Sequence, residues 1–231
     1  LVEAAIFVLI GIFFDFFDGF FARLLKVQSE FGVQLDSLAD VVTSGVVPGI
    51  VMFQLFMRSI HKEWTDGLSC EIGNWIVFEE TVEMSFGGSR VHLLPFIGLL
   101  LTLAAAYRLA KFNIDERQSS SFIGLPTPAM ALFVLSLPVI LLYSDITFLN
   151  ELIANKYFLI AATLILSILM NAEIPLFSLK FKNFSLKNSA IEIIIITVSL
   201  ILVILLKFVA IPSIILFYVF LSVIDNKLHK I

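Results

Sequence analysis

The sequence predicts an all-α protein whose helices cross a membrane as a polytopic bundle. Apolar residues make up 59% of the 231 residues, charged residues only 15%, and the mean hydropathy is +1.02. This composition is more apolar than a soluble core requires. Residues 193–206 carry no charge and lack the alternating polarity typical of membrane β-barrel strands.

Charge and cysteine content exclude other classes. The net charge is −4 and the pI is about 5.4, and no basic stripe follows the chain, so we expect no nucleic-acid partner. The single cysteine, Cys70, cannot form a disulfide within the chain.

The chain opens with a predicted helical hairpin over residues 1–57. A first helix runs into a stretch rich in aspartate, a polar break follows at residues 26–30, and a second helix covers about residues 33–57. The first residue is Leu1 and the chain begins inside an apolar run. We therefore expect a further N-terminal span upstream.

Residues 58–90 are the most polar region and predict an extramembrane loop, with an interfacial helix near residues 75–78. Further spans are predicted at residues 91–110 and 126–143, joined by a polar loop over residues 111–125. Pro126 and Pro128 open the second of these spans, since proline is tolerated in the first turn of a helix.

The rest of the chain predicts a short link with Asp145 and Glu151, a span at residues 157–172 closed by Pro175, and a lysine-bearing loop. Residues 190–224 would measure about 52 Å as one helix, against a hydrocarbon core of about 30 Å. We therefore predict a break near Lys207–Pro212.

Seven spans result, in one integral membrane domain over residues 1–231. Its parts are the hairpin 1–57, the outer loop 58–90, the spans and loop 91–143 and the remaining spans 144–231.

Basic residues mark alternate loops, which predicts the sidedness of the chain. The opposite loops hold the acidic 58–90 segment, Asp145 and Glu151. The side rich in lysine and arginine, expected to be cytoplasmic, carries Arg23, Lys26, Arg108, Lys111, Arg117, Lys180, Lys182, Lys187, Lys227 and Lys230. The loop that joins the hairpin helices is therefore predicted in the cytoplasm.

Four aspartates interrupt the hairpin. Asp15 and Asp18 are three residues apart and Asp36 and Asp40 four apart, so each pair shares a helix face. A turn near Gln28 brings the two pairs to similar depth. A charge at the centre of a bilayer costs roughly 2.5–3.5 kcal/mol on translocon scales, so bound cations are the expected compensation. Mg2+ or Mn2+ fits ligands that are all oxygen.

Small residues beside the carboxylates favour a phosphorylated ligand. Gly19, Ala22 and Gly32 leave room for a phosphate group to approach the helices, and Arg23 can bind its oxygens bidentately. These features point to phosphoryl transfer. A cation or proton transporter that uses the same carboxylates is the alternative from another functional class.

The spacing D-x2-D-G-x2-A-R-x8-G-x3-D-x3-D resembles, at every fixed position, the signature of the CDP-alcohol phosphotransferase family. Its positions are filled by Asp15, Asp18, Gly19, Ala22, Arg23, Gly32, Asp36 and Asp40.

The resemblance implies a membrane enzyme, expected to be a homodimer, in which an alcohol displaces CMP from a CDP-linked lipid. Asp15, Asp18 and Asp36 would hold two divalent metal ions. Asp40 would be a further metal ligand and the general base. The CDP-lipid site implied by the family is formed by Asp15, Asp18, Gly19, Ala22, Arg23, Gly32 and Asp36.

Three further stretches, residues 35–48, 107–113 and 122–131, resemble the membrane-integral bacterial CDP-diacylglycerol–serine phosphatidyltransferases within that family. This implies CDP-diacylglycerol and L-serine as substrates, in the bacterial cytoplasmic membrane. Arg108 and Lys111 are candidates to receive the serine carboxylate, with Asn113 in the same pocket. They are alternatively ordinary flanks of a span, and glycerol 3-phosphate or inositol phosphate is the alternative acceptor.

Overall fold

The computed structural model describes residues 6–8, 10–14, 17, 24–25, 29–60, 84–86, 89–91, 93–114, 122–176 and 190–228. Several predicted features lie outside these ranges. They are the interfacial helix near residues 75–78, the lysine-bearing loop after Pro175, and the motif residues Asp15, Asp18, Gly19, Ala22 and Arg23.

The first long helical segment contains the second half of the aspartate motif. Helix α1, Glu30–Val41, begins at Ser29, whose Oγ accepts a hydrogen bond from the Gly32 backbone N–H at 3.0 Å. This side-chain cap satisfies an N–H group that has no partner within the helix. The segment continues through a π-helical turn, Val42–Val46, into helix α2, Val47–Ile60.

The next span differs from its predicted bounds at both ends. Strands β1, Met84–Phe86, and β2, Ser89–Val91, pair antiparallel with Ser85 opposite Arg90. A 3₁₀ segment, Leu94–Leu99, then leads into helix α3, Leu100–Ile114. The prediction of a polar loop from Lys111 is thus wrong for residues 111–114. The helix continues there because Lys111 and Asn113 find polar partners on neighbouring segments.

Helix α4, Thr127–Tyr143, follows Pro126 as predicted. The predicted link after it is wrong in part, because residues within it form helix α5, Thr147–Ile153. Helix α6, Lys156–Asn171, then begins at an Asn155 cap, and α5 and α6 are bent by 70°. Polar residues of this link lie at the helix boundaries. The Asn155 side chain caps the start of α6, and Asn150 Nδ2 in α5 donates to the carbonyl of Ser144, just after α4, at 3.0 Å.

The last apolar run is broken where the sequence predicts. Helix α7, Ala190–Leu206, is followed by a 3₁₀ turn, Lys207–Val209, and by helix α8, Ala210–Leu228. Lys207 has φ 49°, in the left-handed region that ends a right-handed helix. Pro212 lies in the first turn of α8, where its missing N–H costs nothing.

The length and hydropathy of the helices are those of an α-helical membrane protein. Within the described part of the chain, three helical segments are long and apolar enough to cross a membrane: Gln34–Ile60, Leu94–Asn113 and Ile195–Ile224. The bent pair α5 and α6 makes a fourth if it counts as one span, and α4 is a shorter apolar helix. The sequence predicted seven spans.

Glycines bring α2 and the segment preceding α3 into close contact. A Cβ atom on Gly98 would lie 2.7 Å from the Phe53 backbone nitrogen, and one on Gly45 would lie 3.1 Å from the Ala105 Cβ. Thr102 Oγ1 also donates to the Gly45 carbonyl at 3.0 Å. Small residues and interhelical hydrogen bonds are what drive packing between helices in lipid, where the hydrophobic effect contributes little.

Contacts between segments that are distant in the sequence show which helix ends lie together. Ser37, near the start of the continuous helical segment Glu30–Ile60, is hydrogen-bonded to Asn113 at the end of α3, and Lys111 forms an ion pair with Glu173 just after α6. At another place, the rings of Tyr143 and Phe208 lie 5.4 Å apart. The start of α1, the end of α3 and the end of α6 share one end of the bundle.

Candidate active site

The described half of the aspartate motif lies on α1. Asp36 and Asp40 are one turn apart on this helix, with Asp36 exposed and Asp40 half-buried. Side chains four residues apart share a helix face, so the two carboxylates can serve one ligand. Their all-oxygen donor set fits a hard divalent cation. No cluster of three or more His, Cys, Asp or Glu side chains occurs among the described residues, which do not include Asp15 and Asp18.

Gly32 occupies the first turn of α1, where its N–H donates to the Ser29 cap. A Cβ atom at this position would lie 3.1 Å from Ser29 Oγ. The absence of a side chain therefore keeps the cap compact at the end of the helix that carries Asp36. The capping role of Ser29 is new with the structure, although serine three residues before a glycine in a helix start is a recognisable sequence signal.

Arg108 is the buried cation of the site. It lies on α3, its side chain is 8% exposed, and it interacts electrostatically with Asp40 across the interface between α1 and α3. Its Nη2 donates to the Gly124 carbonyl at 3.4 Å, whereas its Nε has no hydrogen-bond partner among the described residues. A buried charge is costly unless it is paired. The Asp40 carboxylate contributes an attractive electrostatic interaction, and an anionic ligand would add to it.

The Gly124 carbonyl is held in place by α6. Gly124 has φ 73°, a conformation that favours glycine, and a Cβ atom there would overlap the Met170 carbonyl oxygen. The Gly124 N–H donates to the Ile174 carbonyl at 2.9 Å and the Leu125 N–H to the Leu169 carbonyl at 2.9 Å.

Two short strands continue this contact. Strand β3, Phe122–Ile123, pairs antiparallel with strand β4, Pro175–Leu176. The loop that supplies a hydrogen-bond acceptor to Arg108 is thus attached to the segment that follows α6.

Lys111 and Asn113, the other acceptor candidates, each have a protein partner. Lys111 Nζ lies 3.3 Å from Glu173 Oε1, and the Asn113 Nδ2 donates to Ser37 Oγ at 3.0 Å. The Lys111 side chain is 33% exposed and that of Glu173 66% exposed, so both groups are accessible. Lys111 follows Arg108 by three residues on α3, on a neighbouring part of the same helix face.

The structure therefore brings α1 and the end of α3 together through the hydrogen bond between Ser37 and Asn113, and Asp40 interacts electrostatically with Arg108 between the same two helices. Sequence reasoning missed Ser37 and Glu173. Ser37 sits between Asp36 and Asp40 at a position the motif leaves open, and Glu173 lies in a region without a motif. No signal in the sequence alone pairs either residue with α3.

Comparison with known proteins identifies the family. The chain matches the CDP-alcohol phosphatidyltransferase family over residues 1–224. It is 33% identical over 140 residues to the CDP-diacylglycerol–serine O-phosphatidyltransferase of Bacillus subtilis, covering 58% of this chain and 60% of the relative.

The enzymes of the same name from Helicobacter pylori strain J99 and Saccharomyces cerevisiae are 33% and 32% identical, over 58% of this chain in both cases and over 44% and 41% of the relatives. The chain thus spans about half the length of these curated relatives. The family predicted from the aspartate motif is confirmed: the chain belongs to the CDP-alcohol phosphatidyltransferases.

Proposed function

We propose that this protein transfers the phosphatidyl group of CDP-diacylglycerol to the hydroxyl of L-serine, giving phosphatidylserine and CMP. The observation that carries the proposal is that α1, which holds Asp40, packs against α3, which holds the buried Arg108, with Ser37 and Asn113 hydrogen-bonded across this contact. A carboxylate able to accept a proton and a cation able to bind an anionic acceptor thus lie on neighbouring helices. The names of the relatives from three organisms support the same reaction.

In this proposal Asp15, Asp18, Asp36 and Asp40 hold two divalent metal ions, Mg2+ or Mn2+. Asp36 and Asp40, on one face of α1, provide the part of this oxygen donor set that the structure describes. When bound, such ions neutralise charge on the diphosphate and on the leaving CMP.

Asp40 is the proposed general base. The serine oxygen forms a bond to the β-phosphorus of CDP-diacylglycerol while the bond from that phosphorus to the CMP oxygen breaks. The proton of the serine hydroxyl passes to the Asp40 carboxylate. A positioned base of this kind typically contributes a factor of about 10²–10⁴ in rate.

The acceptor is held at the end of α3. Arg108 and Lys111 bind the serine carboxylate, and Asn113, held by Ser37, closes the pocket on the α1 side. The Nε edge of a guanidinium is suited to a carboxylate because Arg binds such groups through two parallel hydrogen bonds. The orphaned Arg108 Nε, within the described structure, supports this use.

The CDP-lipid lies on the aspartate side of the pocket. Gly19, Ala22 and Arg23 line it together with Asp15, Asp18, Asp36 and Gly32, as the family signature implies. Gly32 lies in the first turn of α1, one turn before Asp36. The two described residues of this set are therefore neighbours on one helix.

We further propose seven spans in the bacterial cytoplasmic membrane, with this site at the cytoplasmic face and two copies forming a homodimer. The shared end of α1, α3 and α6 supports the placement, because the loops at that end carry the positive charge. The acyl chains of the substrate then stay in lipid while serine arrives from water. Chemical crosslinking in membranes tests the dimer.

The proposal is tested by CMP release from purified protein. CDP-diacylglycerol with Mg2+ or Mn2+ is offered with labelled serine, glycerol 3-phosphate or inositol phosphate in separate reactions. We expect CMP release that depends on serine and on metal, with label in the lipid fraction. Turnover with glycerol 3-phosphate or inositol phosphate but not with serine would identify a phosphorylated alcohol as the acceptor. Ion flux across proteoliposomes without any CMP release would instead identify a transporter.

A further inference from the structure

We propose that Glu173 is a specificity-determining residue of the acceptor pocket, which binds the ammonium group of an amino-acid acceptor. This inference rests on the proposed function and names a residue that the family signature does not contain. The juxtaposition that carries it is the contact between Glu173 Oε1 and Lys111 Nζ at 3.3 Å.

The first step is that Glu173 has a defined position. It follows α6, whose last turn is fixed by the hydrogen bond from the Ala172 N–H to the Ile168 carbonyl at 2.8 Å. On its other side, the Ile174 carbonyl accepts the Gly124 N–H at 2.9 Å. Glu173 is thus held between two anchored residues, beside the loop that contacts Arg108.

The second step is the balance of charge in the pocket. Arg108 and Lys111 are both cationic and can bind the carboxylate of serine. The ammonium group of serine needs an anionic acceptor that the reaction does not otherwise use. Asp36 and Asp40 are assigned to metal binding and proton transfer. Among the described residues, Glu173 is the further carboxylate that contacts a proposed acceptor-binding cation.

The third step is accessibility. The Glu173 side chain is 66% exposed, so a dissolved amino acid can reach it. A carboxylate has about four acceptor sites, so Glu173 can bind an ammonium group while it remains close to Lys111. An ion pair this exposed contributes little to folding stability. Stability alone is therefore a weak reason for this pairing.

Glu173 would also act against the wrong acceptors. Glycerol 3-phosphate and inositol phosphate bring two negative charges and no ammonium group. The Glu173 carboxylate repels a phosphate at the position where it attracts an ammonium. Specificity commonly combines attraction of one ligand with repulsion of its competitor.

The test is Glu173→Gln, which keeps the shape and removes the charge. We expect the KM for serine to rise by about 10- to 100-fold, the range for loss of a charged hydrogen bond. The kcat and the KM for CDP-diacylglycerol should stay within about twofold. Inhibition by 3-hydroxypropanoate, which is serine without its ammonium group, should be unchanged or stronger. A purely structural role would weaken serine and this analogue together, and that result would overturn the inference.

Two further variants keep the result interpretable. Glu151→Gln on α5 removes an exposed carboxylate elsewhere and should leave the KM for serine unchanged. Glu173→Asp, which retains the charge, should recover most of the serine affinity, and failure to recover any would count against a charge effect. If the unmodified protein turns over phosphorylated alcohols instead of serine, the proposed function itself fails. That outcome is visible before any variant is compared.

Discussion

Asp40 is half-buried on α1, and Arg108 on the neighbouring helix α3 is 8% exposed and interacts with it electrostatically. The Gly124 carbonyl accepts a hydrogen bond from the Arg108 Nη2 at 3.4 Å. The proposed base and the proposed acceptor-binding cation therefore lie on two helices that pack together.

Asp40→Asn is expected to lower kcat by about 10²–10⁴-fold, because the amide cannot accept the serine proton. Binding of CDP-diacylglycerol should persist, since Asp15, Asp18 and Asp36 remain. The measurements are CMP release and equilibrium binding of labelled CDP-diacylglycerol. Asp145→Asn, at an exposed carboxylate outside the site, is the matched control. Wild-type turnover by Asp40→Asn would remove Asp40 from the role of base.

At this scale the sequence predicts residue types better than partners. The aspartate motif identifies Asp36 and Asp40, and the charged end of a span identifies Arg108 and Lys111. Neither pattern shows that Arg108 is buried or that Lys111 meets Glu173. Both facts depend on how separate helices pack, which local spacing does not encode.

The elements that surround the site are joined by backbone contacts at two places. Gly45 and Gly98 allow α2 to approach the start of the α3 span, and Gly124 allows the loop before α4 to lie against the end of α6. At Gly98 and Gly124 a side chain would meet backbone atoms, which cannot move aside as a flexible side chain can, and at Gly45 it would meet the Ala105 Cβ. The positions of Arg108 and Gly124 relative to each other depend on these contacts.

Gly124→Ala is expected to destabilise the protein by about 1–3 kcal/mol, because a φ of 73° is strained for alanine. The new methyl group would also meet the Met170 carbonyl. The measurement is unfolding in detergent followed by loss of helical circular dichroism. Gly11→Ala is the control, since its Cβ would lie at an ordinary 3.6 Å from Thr43 Cγ2. Equal stability of both variants would show that the loop relaxes without cost.

Among the elements, long apolar helices and the break at Lys207 follow from the sequence, because hydropathy and helix length decide them. The helical end of α3 and the short helix α5 were missed. In both cases polar residues were interpreted as loop, whereas Asn113 Nδ2 donates to Ser37 Oγ and Asn150 Nδ2 donates to the Ser144 carbonyl. Composition alone cannot distinguish a solvated polar residue from one that is paired.

For the whole molecule, the contacts place the start of α1 and the end of α6 at one end of the bundle. The charge pattern predicts that this end faces the cytoplasm. Neither the contacts nor the charge pattern alone gives the number of membrane crossings. The described part of the chain has three candidate spans, or four if the bent pair counts as one span. Sidedness is therefore the property to measure first.

Single cysteines in a Cys70→Ser background should report this sidedness. We expect a membrane-impermeant thiol reagent to label Asp145→Cys and Lys156→Cys in intact cells. Ser29→Cys and Glu173→Cys should react only after the membrane is permeabilised. All four original side chains belong to exposed residues, so reactivity reports the side and not burial. Labelling of Glu173→Cys from outside would reverse the proposed orientation.

The pairing of β3 with β4 has a consequence for recombining this protein with its relatives. The aspartate motif and α3 lie in the first half of the chain, but the loop whose Gly124 carbonyl contacts Arg108 docks on the segment from Leu169 to Leu176. A chimera that crosses over between α4 and α6 would join a loop from one parent to a docking segment from another. Acceptor choice should be inherited intact only when both strands come from the same parent.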